Sequence, residues 1–224
     1  MKFGLLDVSA EYDDARRNFR REFDVPLVAY DVPDGEWPAV EEIDAAIITG
    51  SWASVYWDHD WITALKTWTE DALEGGLPVM GVCFGHQLLA DILGGEVVGR
   101  DKYELGYHTL DRTADSALFE GVPWQFTALT SHSDDVAALP PGGEKLAENQ
   151  YSLHAFRKDR AFGVQFHAEL DLETARRFVA QREPSGERTP DARETLTEAN
   201  YEAATETKRI FDNFTAYVST LREP

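Results

Sequence analysis

The only cysteine of this 224-residue chain, Cys83, stands between two glycines, at positions 81 and 85. The apolar residues 77–82 predict a buried strand, and residues 85–93 predict a helix that begins almost at once. A nucleophile on such a sharp turn is exposed above the sheet, where the positive end of the helix dipole stabilises a thiolate. The backbone N–H of Phe84 would point to a developing oxyanion. Cys83 is therefore a candidate nucleophile, although an isolated cysteine there is more often a buried structural residue.

A histidine and an acid follow another predicted strand, residues 161–166. His167 and Glu169 are two positions apart, and side chains so spaced on a strand point the same way. Glu169 can then accept a hydrogen bond from one imidazole nitrogen while the other nitrogen faces a thiol, as in enzymes that combine a nucleophile, a base and an orienting acid. Taken alone, the pair is more often a surface histidine beside a solvated acid, so its interpretation depends on Cys83.

The elements that must position these residues alternate between strands and helices. Strands are predicted at 3–8, 25–30, 44–49 and 77–82, and helices at 10–23, 60–74 and 85–93. This alternation is typical of an α/β fold with a parallel sheet, and reactive groups in such sheets lie at the carboxyl ends of strands. Gly50 and Cys83 both lie at such ends.

The pattern changes from about residue 96, where short strand-like runs are separated by turn signals. We predict a largely antiparallel extension and then helices at 170–182 and about 191–220. The predicted strands are 96–99, 105–110, 124–129, 134–138, 144–148, 151–156 and 161–166. We expect one domain over residues 1–183, with the linker and helix of residues 184–224 packed on it.

The composition excludes several classes of protein. With 41 acidic against 21 basic residues the net charge is −20, so a nucleic acid partner is not expected. Only six of the basic residues are lysines, and such an acidic, lysine-poor chain suggests a salt-loving source. No signal peptide and no apolar run of the ~20 residues that a membrane span needs are present, which predicts a soluble, cytoplasmic protein. His59, His108 and His154 lack metal-site spacing, so no metal site is expected.

Two segments together resemble the class I (triad) glutamine amidotransferases. They are residues 82–87 (Val-Cys-Phe-Gly-His-Gln) and residues 163–169 (Gly-Val-Gln-Phe-His-Ala-Glu), and the similarity is closest to the glutaminase domain of GMP synthase and its stand-alone relatives. Residues 104–107 and 131–136 resemble loops of that domain in the same order. The resemblance covers about residues 3–180. It implies a three-layer, flavodoxin-like fold, in which helices flank an open, mostly parallel sheet with an antiparallel extension.

The resemblance also implies roles for individual residues. Cys83 would attack the side-chain amide of glutamine, His167 would be the base and Glu169 the orienting acid. The remaining expected site residues are the oxyanion-hole donors Phe84, Gly50 and Ser51, and the substrate-binding residues Gln87, Ser131 and His132. Two positions depart from the family pattern: Ser51 replaces a glycine and Ala168 replaces a proline.

No cofactor is expected. The chain shows no P-loop-like glycine run and ends before an ATP-pyrophosphatase part, so a separate synthase would accept the ammonia. Two alternatives stay open. A γ-glutamyl hydrolase acting on a small γ-glutamyl compound would need the same three catalytic residues, and a non-catalytic binding or regulatory module could share the fold.

Overall fold

A computed structural model describes residues 1–9, 14–181 and 189–222. Its strands are β1 (Phe3–Asp7), β2 (Leu27–Asp31), β3 (Ala45–Ile48), β4 (Val79–Val82), β5 (Glu96–Arg112), β6 (Gln125–Ala138), β7 (Glu144–Glu148), β8 (Leu153–Lys158) and β9 (Ala161–Val164). Its helices are α1 (Ala15–Glu22), α2 (Asp60–Glu74), α3 (Phe84–Ile92), α4 (Leu172–Gln181), α5 (Thr189–Thr195), α6 (Glu198–Ala204) and α7 (Arg209–Thr220). Residues 10–13 of the predicted first helix and most of the predicted linker, residues 182–188, lie outside the described residues.

The strands form one sheet in the order β2-β1-β3-β4-β9-β8-β7-β5-β6. The pairs from β2 to β9 are parallel, whereas β8, β7, β5 and β6 continue the sheet in antiparallel pairs. The predicted fold class is therefore confirmed: a parallel sheet flanked by helices, with an antiparallel extension. The carboxyl ends of β3, β4 and β9 lie side by side, which brings the segments after these strands together.

Both faces of the parallel sheet are buried along β1, β3, β4 and β9, whereas the edge strand β2 is partly exposed. Successive residues of a strand face opposite sides. Phe3 and Leu5 of β1 pack in a core with side chains of α1 and α7, whereas Leu6 packs in a second core with α2 and α3. This arrangement makes three layers, with the sheet in the middle.

Two predicted breaks are absent from the antiparallel half. Segments 96–99 and 105–110 belong to one strand, β5, and segments 124–129 and 134–138 belong to β6. The polar residues 100–104 and 130–133 interrupt the apolar alternation, which is why the sequence predicted breaks. The two strands pair along their length, with an irregularity between Gly99 and Glu104 that absorbs the interruption.

The prediction of one helix at about 191–220 was wrong, because the structure has three. The hydroxyl of Thr197 accepts a hydrogen bond from the backbone N–H of Asn200 and caps α6, so the chain is interrupted there. The helices α5 and α6 pack on β5 and β6, and α7 inserts Phe211 and Phe214 into the core beside β1. The domain boundary at residue 183 stays a prediction.

Among the described helices, none combines the length and the apolar character needed to cross a membrane.

Candidate active site

Cys83 occupies a strained turn between β4 and α3. Its φ of 54° and ψ of −102° place it in a region that residues with a side chain rarely adopt. The backbone is held there because the N–H of Cys83 donates to the carbonyl of Val164 at 2.8 Å, and its own carbonyl accepts the N–H of Gln87 at 3.1 Å. The thiol is therefore fixed at the N terminus of α3.

The two glycines beside Cys83 are required by close backbone approach. A Cβ on Gly81 would lie far inside contact distance of the carbonyl of Gly85, and a Cβ on Gly85 would lie 2.6 Å from the carbonyl of Ile48. Strand β4 and helix α3 can meet at so tight an angle only because both side chains are missing.

His167 and Glu169 form a buried hydrogen-bonded pair. Nδ1 of His167 lies 2.7 Å from Oε1 of Glu169, and the two side chains are almost fully buried. The ring and the thiol meet against Gly50, where an added Cβ would lie 3.1 Å from Cε1 of His167 and 3.4 Å from Cβ of Cys83. Nε2 of His167 has no hydrogen-bond partner among the described residues, so it is available to the thiol or to a substrate.

The electrostatics of the pair favour a charged imidazole. Burial by itself would lower the pKa of His167, but the negative charges of Glu169 and of the Cys83 thiolate raise it from 6.5 to about 10. At neutral pH the imidazole of His167 therefore carries a proton. A charged imidazole beside a thiol can serve as a proton donor for a leaving group.

The predicted oxyanion-hole residues lie beside the thiol. The backbone N–H groups of Gly50, Ser51 and Phe84 donate to no acceptor within residues 1–9, 14–181 and 189–222. Unused backbone donors near a nucleophile are the groups that stabilise a tetrahedral oxyanion. Ser51, which replaces a glycine of the family pattern, has an ordinary negative φ, so its presence does not strain the turn.

Cys83 lines two cavities that open to solvent. One is bordered by Gly50, His167 and Glu169, and the other by Gln87, Ser131 and His132. Ser51 borders both cavities. A molecule bound over the thiol can therefore contact the predicted catalytic groups and the predicted substrate-binding groups together.

The side chain of Gln87 makes hydrogen bonds within the protein that the sequence did not predict. Its Nε2 donates to the carbonyl of Asp134 and to Oε1 of Gln165, both at 3.0 Å, which leaves only its own oxygen for a ligand. The carbonyl of Ser131 lies 3.8 Å from the sulfur of Cys83. The structure therefore places Gln87 and Ser131 at the cavity, with Gln87 also tying α3 to β6.

The residues at this site lie within the part of the chain that matches a known protein family. The family model described as glutamine amidotransferase class-I matches residues 6–183, a range that contains Cys83, His167 and Glu169. The chain belongs to the class I glutamine amidotransferase family. The family predicted from the sequence is thus confirmed.

Curated relatives of this amidotransferase chain are longer proteins. GMP synthase (glutamine-hydrolyzing) of Thermomicrobium roseum is 38% identical over 170 residues, which are 74% of this chain and 31% of that protein. The protein of the same name from Aquifex aeolicus is 34% identical over 152 residues, which are 64% of this chain and 28% of that protein. The chain therefore spans less than a third of the length of either relative.

Solved amidotransferase structures share the fold. A glutamine amidotransferase from Thermotoga maritima superposes with a TM-score of 0.82 at 21% identity, covering 95% of this chain and 97% of that one. A glutamine amidotransferase from Methylobacillus flagellatus gives 0.81 at 20% identity, covering 96% and 94%. At these identities the likeness concerns the fold alone.

Arg21 supports the amidotransferase site although nothing in the sequence singled it out. Its Nη2 donates to the backbone carbonyl of Glu169 at 2.6 Å, and its Nη1 donates to Asp171 at 2.8 Å. Arg21 thereby fixes the segment that carries the acid of the His167–Glu169 pair. A basic residue on the predicted first helix was visible in the sequence, but the separation of about 150 residues hid its contact.

A second polar cluster lies behind the amidotransferase site. Glu104, His132 and His154 come from three strands, and all three are buried. Burial lowers the pKa of His154, and the two imidazoles lower the pKa of Glu104 against the opposing effect of burial. The side chain of His132, expected at the substrate, thus points largely into this cluster.

Proposed function

We propose that this chain hydrolyses the side-chain amide of L-glutamine through a glutamyl thioester on Cys83 and releases ammonia. Cys83 acts as the nucleophile, His167 as the acid and base, and Glu169 as the acid that orients the imidazole. The observation that carries the proposal is the meeting of a strained cysteine turn with a buried, hydrogen-bonded histidine and glutamate at one cavity. Membership of the class I glutamine amidotransferase family supports it.

The first half of the reaction forms the thioester. The Cys83 thiolate attacks the amide carbon, and the carbonyl oxygen becomes an oxyanion held by N–H groups of Phe84 and of the Gly50–Ser51 turn. His167, which carries a proton at neutral pH, gives it to the amide nitrogen as the carbon–nitrogen bond breaks. Ammonia leaves, and the glutamyl group stays on sulfur.

The second half removes the glutamyl group. His167 is now neutral and takes a proton from water as the water oxygen attacks the thioester carbon. The carbon–sulfur bond breaks, glutamate leaves, and the thiolate–imidazolium pair is restored. Throughout, Glu169 keeps Nδ1 of His167 occupied, so that Nε2 serves the reacting atoms.

The ammonia, in our proposal, passes to a synthase that is a separate protein. Its support is that curated relatives of this chain are named GMP synthase (glutamine-hydrolyzing). The glutamine would occupy the cavities at Cys83, with its amino-acid end near Gln87, Ser131 and the backbone of His132.

The test is hydrolysis of glutamine by the purified chain, at low and at high salt, with ammonia and glutamate both measured. We expect equal amounts of the two products, and a loss of at least about 10⁴-fold in the Cys83→Ala variant, because the members of a triad act as a unit. Circular dichroism of the variant provides the folding control. Release of an amine from γ-glutamyl compounds, with no turnover of glutamine, would contradict the proposal and favour a γ-glutamyl hydrolase. Undiminished turnover in Cys83→Ala would contradict both.

A further inference from the structure

Glu104, His132 and His154 bring three potential metal ligands to one point inside the sheet. They lie on β5, β6 and β8, and their relative exposures are 8%, 6% and 0%. Nε2 of His132 lies 3.4 Å from Oε2 of Glu104, and Nε2 of His154 lies 3.3 Å from Oε1. One ligand atom from each residue falls within 4.8 Å of the other two. Burying such polar groups costs free energy unless their atoms are hydrogen-bonded, paired with an opposite charge or bound to a metal ion.

The hydrogen bonds around the cluster leave three of those four atoms unpaired among the described residues. Nδ1 of His132 lies 2.9 Å from the carbonyl of Asp134, which can only accept, so this nitrogen carries the hydrogen. In a neutral ring Nε2 then presents a lone pair towards the carboxylate of Glu104. Both Nε2 atoms and Oε2 of Glu104 have no hydrogen-bond partner among the described residues, while Oε1 accepts from Asn149 at 2.7 Å.

Two of these distances, from Nε2 of His132 to Oε2 of Glu104 and from Nε2 of His154 to Oε1 of Glu104, match those between neighbouring ligand atoms of a coordination sphere. Bonds of about 2.0–2.1 Å from imidazole nitrogen and carboxylate oxygen to a tetrahedral ion place neighbouring ligand atoms about 3.4 Å apart. A ligating histidine usually donates its other ring N–H to a carbonyl or carboxylate, as Nδ1 of His132 does.

We propose that Glu104, His132 and His154 bind one divalent transition-metal ion of the zinc type. Two imidazoles and one carboxylate suit such an ion better than Mg²⁺ or Ca²⁺, which prefer oxygen ligands. His132 also borders the cavity that Gln87 and Ser131 line, from which water can supply a fourth ligand. The ion would link β5, β6 and β8, and would fix the position of Ser131, the neighbour of Cys83.

The test uses the full chain with the Cys83→Ser substitution, which removes the other strong metal-binding side chain. Chelator-treated protein is titrated with Co²⁺ and followed by visible absorption, and bound Zn²⁺ is counted by elemental analysis after gel filtration. We expect one equivalent of either ion, with Zn²⁺ displacing Co²⁺ and raising the melting temperature, because an ion that binds only the folded state stabilises it.

The variants that assign the site are Glu104→Gln and His154→Gln, with His59→Gln as a matched control at an exposed histidine outside the cluster. We expect affinity to fall at least about tenfold in each cluster variant and to stay unchanged in the control. Far-ultraviolet circular dichroism identifies the variants that fold. The proposal is overturned if the folded Cys83→Ser protein binds no ion, a result that does not depend on whether the cluster variants fold. It is also overturned if a folded cluster variant binds the ion as tightly as the Cys83→Ser parent. Either result would mean that Glu104, His132 and His154 interact only with one another and hold no ion.

Discussion

At the scale of single residues, the site depends on where one proton resides. His167 is surrounded by two negative groups, Glu169 and the Cys83 thiolate, and their attraction exceeds the cost of burying a charged ring. The imidazole is therefore held in its charged form at neutral pH, the form that in our proposal protonates departing ammonia. Glu169 contributes both by charge and by fixing which ring nitrogen faces the sulfur.

The pH dependence of glutamine hydrolysis tests this picture. Because the pKa of His167 is raised to about 10, the ring keeps its proton through the neutral range and loses it as the pH rises through about 10. We expect kcat/KM to fall on that alkaline side. Glu169→Gln removes one of the two charges, so the alkaline limb should move to lower pH, towards 6.5, and the rate should drop less than in Cys83→Ala. An alkaline limb that stays in place in Glu169→Gln would show that the carboxylate does not hold the proton on His167.

At the scale of elements, the turn between β4 and α3 positions Cys83, the proposed nucleophile. Cys83 keeps its unusual backbone angles because the strand and the helix meet without side chains at Gly81 and Gly85. The strained backbone of this turn costs free energy. The packing of the buried strands on both sides offsets that cost, so the turn persists in the folded state.

Gly81→Ala is expected to distort this turn. The added methyl would overlap the backbone of Gly85 and of His86, neither of which can move without shifting α3. We expect a loss of about 1–3 kcal/mol in the free energy of unfolding, measured by urea denaturation, together with a loss of glutaminase activity. The matched control is Gly142→Ala, where nothing lies within 4 Å and only the positive φ of 78° is penalised. Retained stability and activity in Gly81→Ala would mean that the close approach is not required.

The sequence predicted the elements well where apolar periodicity was uninterrupted. The helix at 60–74 and the strand at 144–148 have the predicted bounds. The predicted breaks in β5 and β6 were wrong because polar residues such as Ser131 and His132 are buried there for the sake of the site and the cluster. A rule that equates polar runs with loops fails where polar side chains have buried partners.

The candidate site was predictable only in its local parts. Cys83 and the His167–Glu169 pair stand in short motifs, so their chemistry is visible in the sequence. The cluster of Glu104, His132 and His154 is not, because its members come from three strands that are adjacent only in the folded sheet. Spacing along the chain carries no information about such a meeting.

At the scale of the whole molecule, the C-terminal helix belongs to the core although the family match ends at residue 183. The rings of Phe211 and Phe214 pack edge-to-face against Phe23 and Phe3, near the start of the chain. The face of α7 that packs on this core carries Ile210, Phe211, Phe214 and Val218, all buried, whereas Leu221, just after the helix, is 40% exposed.

The net charge of −20 is the second whole-molecule property, and it predicts stabilisation by salt. Salt screens the repulsion among acidic groups, whereas the exposed ion pairs that salt also weakens contribute only about 0–1 kcal/mol each. We expect the melting temperature to rise from low salt to about 1 M KCl, where screening is nearly complete. A flat or falling melting temperature over that range would remove the hypothesis of a salt-loving source.

The most direct test of the account is capture of the covalent intermediate. The purified chain is mixed with isotopically labelled glutamine, stopped with acid and analysed by peptide mass spectrometry. We predict a glutamyl group on the peptide that contains Cys83, removable by hydroxylamine as a thioester is and missing from Cys83→Ala. Steady release of glutamate with no label on Cys83, or label on another residue, would contradict the assignment of Cys83 as the nucleophile.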